Sequence, residues 1–171
     1  MSKHIAEPGT GQVYVELRRA RIGRAIGRPL HATVPGAEPL TPEKLEFFRR
    51  EAEDLYWNEL SWEELTDEEL VAGGHLTEMV FPGFLAFVDG LLVHQVPADA
   101  LAPARPHPDA VEEILSFLGE RYAVLTAELE AGADSQRVVW ARAMTAQLVD
   151  LVLHRLHRLN AADRERVESA G

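Results

Sequence analysis

Soon after the fortieth residue, apolar positions recur every three or four residues, which is the spacing of one face of an α-helix. The row consists of Leu45, Phe48, Ala52 and Leu55. Thr41 can cap the first turn, and Pro42 suits the first helical position because it has no amide proton to leave unpaired. The pattern predicts a helix from Pro42 to about Asn58. Segments beginning at Ser61 and Thr66 fit the capping-box pattern and predict one or two short helices.

The most apolar part of the chain, from Leu76 to His94, predicts a helix that breaks near Pro82, because proline lacks the amide donor that a helix interior needs. At 100° per residue, its polar and small positions fall on one narrow face and the rest of the circumference is apolar. That narrow face consists of Glu78, Pro82, Ala86 and Asp89. A helix with this pattern belongs in a bundle centre or an oligomer interface. We therefore expect the other helices to lie against it.

The second half of the chain predicts two long helices after an extended connection at residues 96–108, which holds four prolines. One helix starts at Pro108 and ends before Gly132. The other is capped by Asp134 or Ser135 and continues to about Asn160. The chain is therefore predicted to be all-α, with residues 41–171 forming a helical bundle of about four principal helices plus one or two short helices.

Residues 1–40 are rich in glycine and proline and predict an irregular N-terminal arm, in which residues 13–17 could start a short strand or a short helix. The arm, counted over residues 1–36, has a charge of +4, whereas the whole chain has −11, so the remainder has −15. The arm's basic side chains are Lys3 and five arginines: Arg18, Arg19, Arg21, Arg24 and Arg28. Guanidinium groups bind phosphate well, so the arm could contact an anionic ligand, a nucleic acid or another partner. Residues 38–78 have a charge of −10, and we favour the alternative that the arm lies across this region of its own chain or of a second subunit.

Composition narrows the class of protein. The 171 residues suffice for one packed core, and the 46% hydrophobic and 26% charged fractions are typical of a globular domain. Cysteine is absent, which excludes disulfides, thiolate metal ligands and a cysteine nucleophile. The first twelve residues lack the apolar core of a secretory signal, and the longest apolar stretch, residues 79–93, is shorter than the roughly 20 residues of a bilayer span. We expect a cytoplasmic protein without membrane attachment, whose acidic body repels nucleic acid everywhere except at the arm.

The histidines and nearby carboxylates suggest one candidate metal site. Asp150, His154 and His157 stand at i, i+4 and i+7, and His75 and Glu78 stand at i and i+3 before the apolar helix. Bundle metalloproteins build sites from such residues on several helices, although the Glu-x-x-His element of di-iron proteins is absent from the sequence. The apolar row of the last long helix points away from His154, so we favour a solvated face over a metal site.

Other candidate residues are aromatic or apolar. Tyr56, Trp57 and Trp62 could anchor a protein partner or fill a corner between helices, and Phe84 and Val88 of the apolar helix could lie in an oligomer interface. Asp89 is the only charge between Val80 and Val93, and we expect water or an arginine to reach it. The sequence contains none of the usual phosphate-loop, dinucleotide-loop, zinc-protease or serine-hydrolase motifs.

These patterns favour a non-enzymatic helical interaction or regulatory protein that forms homo-oligomers, with no cofactor. Self-association is the favoured interaction, and a different protein partner is possible. One alternative is a metal-dependent bundle enzyme that uses the histidines and carboxylates. A further alternative is a regulator that binds an anionic ligand or nucleic acid through the arm.

Overall fold

A computed structural model describes residues 10–30, 37, 39–60, 74–92, 106–132 and 136–170, with the backbone alone at 74–76. In this part of the chain there are seven helices and no strand, which confirms the all-α class. The helices are α1 (Thr10–Ile26), α2 (Pro42–Glu59), α3 (Gly74–Val80), α4 (Pro82–Leu91), α5 (Pro108–Glu130), α6 (Gln136–Leu156) and α7 (Ala161–Ala170). None of these helices is long and apolar enough to cross a membrane.

Helix α5 occupies the centre of the bundle. It packs most extensively on α6 and α1 and also contacts α2 and α4. The apolar helix near Phe84 is buried and contacts α2, α3, α5 and α6, as expected, but the most extensive contacts are made by α5 and not by this helix. The physical reason is length, because the 10 residues of α4 span about 15 Å whereas the 23 residues of α5 span about 35 Å and can pack over a larger area.

The apolar segment itself has the predicted form. Its helix breaks at Phe81, just before Pro82, so that α3 and α4 are separate. Pro82, Ala86 and Asp89 lie on the exposed face, as expected. Arg155 of α6 donates a hydrogen bond from Nε to Asp89 Oδ1 at 2.9 Å, which confirms that an arginine reaches this carboxylate. Met79 differs from the prediction of a mostly buried circumference, because its side chain is 76% exposed.

The prediction of an irregular arm over residues 1–40 is wrong for Thr10–Ile26, which form α1. Gly11 does not interrupt this helix; it lies where a Cβ would come within 2.5 Å of the backbone nitrogen of Glu120 on α5. The glycine therefore permits close helix packing instead of breaking the chain. The helix ends at Gly27, whose φ of +78° is readily adopted only by glycine, and the Arg28 amide donates to the Gly23 carbonyl at 3.0 Å.

Hydrogen bonds at the helix ends explain where several helices begin and stop. The Thr41 hydroxyl accepts a bond from the Lys44 amide at 3.3 Å, as predicted for the cap of α2. Helix α6 ends at Leu156, earlier than the predicted Asn160, because Arg158 adopts a φ of 54° and the Leu159 amide donates to the His154 carbonyl. Predictions at Ser61, Thr66, Asp134 and Ser135, and most of the 96–108 connection, lie outside the described residues.

Candidate functional site

The candidate metal ligands are not brought together among the described residues. In this part of the chain no group of three or more histidine and carboxylate side chains could hold a metal ion. Asp150 already binds Arg18, and Glu78 is exposed on α3. The described part of α3 packs beside Met144, about three helical turns before His154. The side chain of His75 lies outside the described residues, so a metal site that includes it stays a prediction.

His154 departs from the expectation of a solvated face, because its side chain is only 8% exposed. Neither ring nitrogen has a hydrogen-bond partner among the described residues. Burial lowers the pKa of this imidazole, and the nearby Arg164 and Arg155 act in the same direction while Asp150 and Glu168 oppose it. The imidazole is therefore held in its neutral form. His157, one turn further along the chain, is half-buried.

The arginines of α1 bind carboxylates within the same chain. Arg18 makes a two-bond contact with Asp150 of α6, which includes Nε to Oδ1 at 2.9 Å. The same hydrogen bond raises the pKa of the Arg18 guanidinium. Arg19 donates to Glu112 of α5 at 2.5 Å. These contacts agree with an internal role for the basic residues, but their partners do not belong to the acidic region at residues 38–78.

Arg28, which follows α1, binds the C-terminal helix α7. Arg28 donates two bonds to Asp163 of α7, at 3.1 and 2.7 Å. This hydrogen bonding lowers the pKa of the Asp163 carboxyl. Asp163 and Asn160 also exchange bonds between side chain and backbone amide, which caps α7. Arg21 is half-buried and Arg24 is exposed.

The predicted aromatic and apolar interface is mostly core. Tyr56, Phe84 and Val88 are fully covered within one chain, so they lie in the core and not on a surface that a partner could contact. For Tyr56 this agrees with the alternative in which it fills a corner between helices. The Tyr56 hydroxyl shares a hydrogen bond with Thr145 of α6 at 2.8 Å, which ties α2 to α6. Trp57 remains 49% exposed, with the Arg121 guanidinium 4.6 Å from its ring centre. Trp62 lies outside the described residues.

The outer face of α1 carries two large apolar side chains that sequence reasoning missed. Val13 is 60% exposed and Leu17, one turn later, is 64% exposed. Ala20 and Arg24 continue the same row and are also exposed. We call Val13, Leu17, Ala20 and Arg24 the α1 row. Neighbouring exposed apolar side chains, here Val13, Leu17 and Ala20, are a common feature of surfaces that bind another protein.

The opposite face of α1 holds the helix firmly on the bundle. Val15, Ile22 and Ile26 are buried there, and the Tyr14 ring stacks on that of Tyr122 at 3.9 Å. Burial raises the pKa of Tyr14, so its hydroxyl stays protonated. Together with the carboxylate contacts of Arg18 and Arg19 in α1 and of Arg28 just after it, this packing fixes the position of the α1 row. The row is therefore a preformed surface, and a partner would bind it without having to order the helix first.

A groove of about 490 Å³ lies beside the C-terminal half of α1. Its basic side chains are Arg19, Arg24 and Arg28, and Glu16 is also in its lining. Arg19 and Arg28 are the residues whose guanidinium groups bind Glu112 and Asp163. Of the three arginines only Arg24 has no described carboxylate partner, so the positive charge of the groove is largely neutralised.

Comparisons of the chain with protein-family models, with curated proteins and with solved structures gave no match.

Proposed function

We propose that this chain is a non-enzymatic helical interaction protein that acts in the cytoplasm and self-associates through the α1 row. The observation that carries the proposal is the exposure of Val13 and Leu17 on a helix whose other face is anchored to the bundle. Exposed side chains of this size lose contact with water when a second surface covers them, which contributes about 25 cal/mol for each Å² of apolar area. The anchored helix supplies such a surface at small cost in conformational entropy.

The proposal is tested by the dependence of molecular mass on concentration. Sedimentation of the wild-type chain should show reversible self-association, and Leu17→Glu should shift the protein to the monomer, because it places a charge in the apolar row. Met79→Glu is the matched control, since Met79 is exposed on α3 and is not part of α1. Circular dichroism should show the same helix content in all three proteins. A wild-type chain that remains monomeric up to about millimolar concentration would refute self-association.

The second candidate function is binding of an anionic ligand. The observation in its favour is the groove that includes Arg24. Heparin can serve as a polyanionic probe. If the groove binds it, the affinity should fall as salt rises, and Arg24→Ala should weaken the binding at every salt concentration. Affinity that is unchanged by salt or by this substitution would exclude the alternative.

A further inference from the structure

The spacing of the α1 row suits a helix that packs on a copy of itself. Its residues are separated by four, three and four positions, which is the spacing of the contact line between two packed helices. When a second copy of the row runs in the opposite direction, its Ala20 takes the position next to Leu17 of the first copy. A small side chain then lies opposite a large one. In a symmetric pair, residue i meets residue j and residue j meets residue i. Leu17 of one copy therefore meets Ala20 of the other when the helices run in opposite directions.

Charge selects between the two possible directions. Glu16 flanks the N-terminal half of the row with its side chain 51% exposed, and Arg24 ends the row. In an antiparallel pair, Arg24 of one copy lies opposite Val13 of the other and can reach its Glu16. In a parallel pair, Arg24 would meet Arg24 and Glu16 would meet Glu16. Like charges at these positions repel, so the antiparallel direction is favoured.

We infer that α1 packs antiparallel on α1 of a second copy of this chain, with the two-fold axis between Leu17 and Ala20. This inference rests on the proposed function, and it identifies the partner that covers the α1 row as the α1 helix of a second copy. One helix row covers less than the roughly 800 Å² per partner of a standard interface. The dimer should therefore be weak, with a dissociation constant in about the micromolar range.

Disulfide cross-linking measures the direction of pairing, and the chain suits it because it has no cysteine. In the antiparallel pair, the two copies of residue 20 lie about 5 Å apart along the axis and those of residue 10 about 25 Å apart. A disulfide needs Cα atoms within about 7 Å. Under mild oxidation Ala20→Cys should therefore form a covalent dimer and Thr10→Cys should not. Ala86→Cys, exposed on α4, controls for random collisions.

A charge exchange tests the contact between Glu16 and Arg24. Glu16→Arg and Arg24→Glu should each weaken the dimer by about fivefold, because each variant places like charges together in both symmetric contacts. The double variant should restore the wild-type affinity to within about twofold, since it rebuilds both pairs with the signs exchanged.

The outcomes distinguish failure of the antiparallel pairing from failure of self-association itself. Cross-linking at both residue 10 and residue 20 would show a parallel pair and overturn the inferred direction while self-association stands. A dimer in sedimentation that cross-links at neither position would place the interface elsewhere and overturn the inference alone. A monomer at every concentration would overturn both, and would leave a different protein as the occupant of the α1 row.

Discussion

At the scale of single residues, His154 is the clearest case of a polar group in an environment that does not match its chemistry. It is a buried imidazole, and neither of its nitrogens has a described partner. An unpaired buried donor or acceptor costs about 1–3 kcal/mol of stability. The charges of Arg164 and Glu168 on α7 lie near enough to influence the pKa of this imidazole.

Replacing this imidazole should change how stability depends on pH. In the unfolded chain His154 takes up a proton as the pH falls through about 6.5, whereas in the folded chain burial lowers its pKa. Between those two values the unfolded state binds more protons, so the free energy of unfolding decreases as the pH falls. His154→Leu should remove this contribution and, at neutral pH, should stabilise the protein by about 1 kcal/mol because it removes the unpaired nitrogens.

Urea denaturation at a series of pH values from about 7 to about 5 measures the effect. His107→Phe is a suitable control, since it removes a different histidine and keeps a ring that can stack on Phe48. The control should retain the slope that His154 contributes. If His154→Leu and the wild type show the same slope over this range, the imidazole is not held neutral by burial.

At the scale of secondary structure elements, α4 shows how one helix begins with help from another. Its N-cap residue, Phe81, has no side chain that can accept a hydrogen bond. The Glu59 carboxylate at the end of α2 takes that role, accepting bonds at 2.6 Å from the Gly83 and Phe84 amides. A negative charge is also favourable at the N-terminus of a helix because of the helix dipole.

Glu59→Ala should therefore lower the free energy of unfolding by about 1 kcal/mol or more, since loss of a capping side chain costs about 0.5–2 kcal/mol. Glu46→Ala is the matched control, because Glu46 pairs with Arg50 on the exposed side of α2. Its loss should be about 0.5 kcal/mol or less. Chemical denaturation of both variants gives the comparison, and equal losses would mean that the carboxylate at residue 59 does not stabilise α4.

Most of the helices could be predicted from the sequence because local signals mark them. Thr41 and Pro42 define the start of α2, and the α3–α4 break follows from the chemistry of Pro82. Helix α1 could not be predicted in the same way, because glycine in a sequence signals a break as readily as a close contact. Gly11 and Gly119 belong to the second case, since they face each other where α1 crosses α5.

The candidate surface was harder to predict than the fold for a related reason. The exposure of Val13 and Leu17 becomes meaningful only once Val15 and Ile22 are known to form the inner face of a helix. The burial of His154 could not be predicted either, because the apolar periodicity of its own helix places this residue on the outer face. Both features arise from packing between segments that are distant in the sequence. The apolar periodicity of a single segment gives no information about such contacts.

At the scale of the whole molecule, the bundle combines a central helix that buries many side chains, α5, with a peripheral helix that buries few, α7. Helix α5 buries nine of its 23 residues, most of them between Pro108 and Gly119, and packs on four other helices. Helix α7 buries only Asp163, with Val167 half-buried, and the contact of its carboxylate with Arg28 joins it to the end of α1. Elements with few buried side chains open locally at lower free energy than the global unfolding.

Hydrogen exchange should therefore proceed at different rates in these helices. The amides in the middle of α5 should exchange only when the whole chain unfolds, whereas those of α7 should exchange by local opening. Asp163→Asn removes the charge that Arg28 binds and weakens the cap of α7, so it should speed exchange in α7 several-fold and leave α5 unchanged. Glu165→Gln, an exposed change in the same helix, should leave both rates near those of the wild type. Equal acceleration in α5 and α7 would show that α7 opens only when α5 also unfolds. The contact between Arg28 and Asp163 would then stabilise the bundle as one cooperative unit.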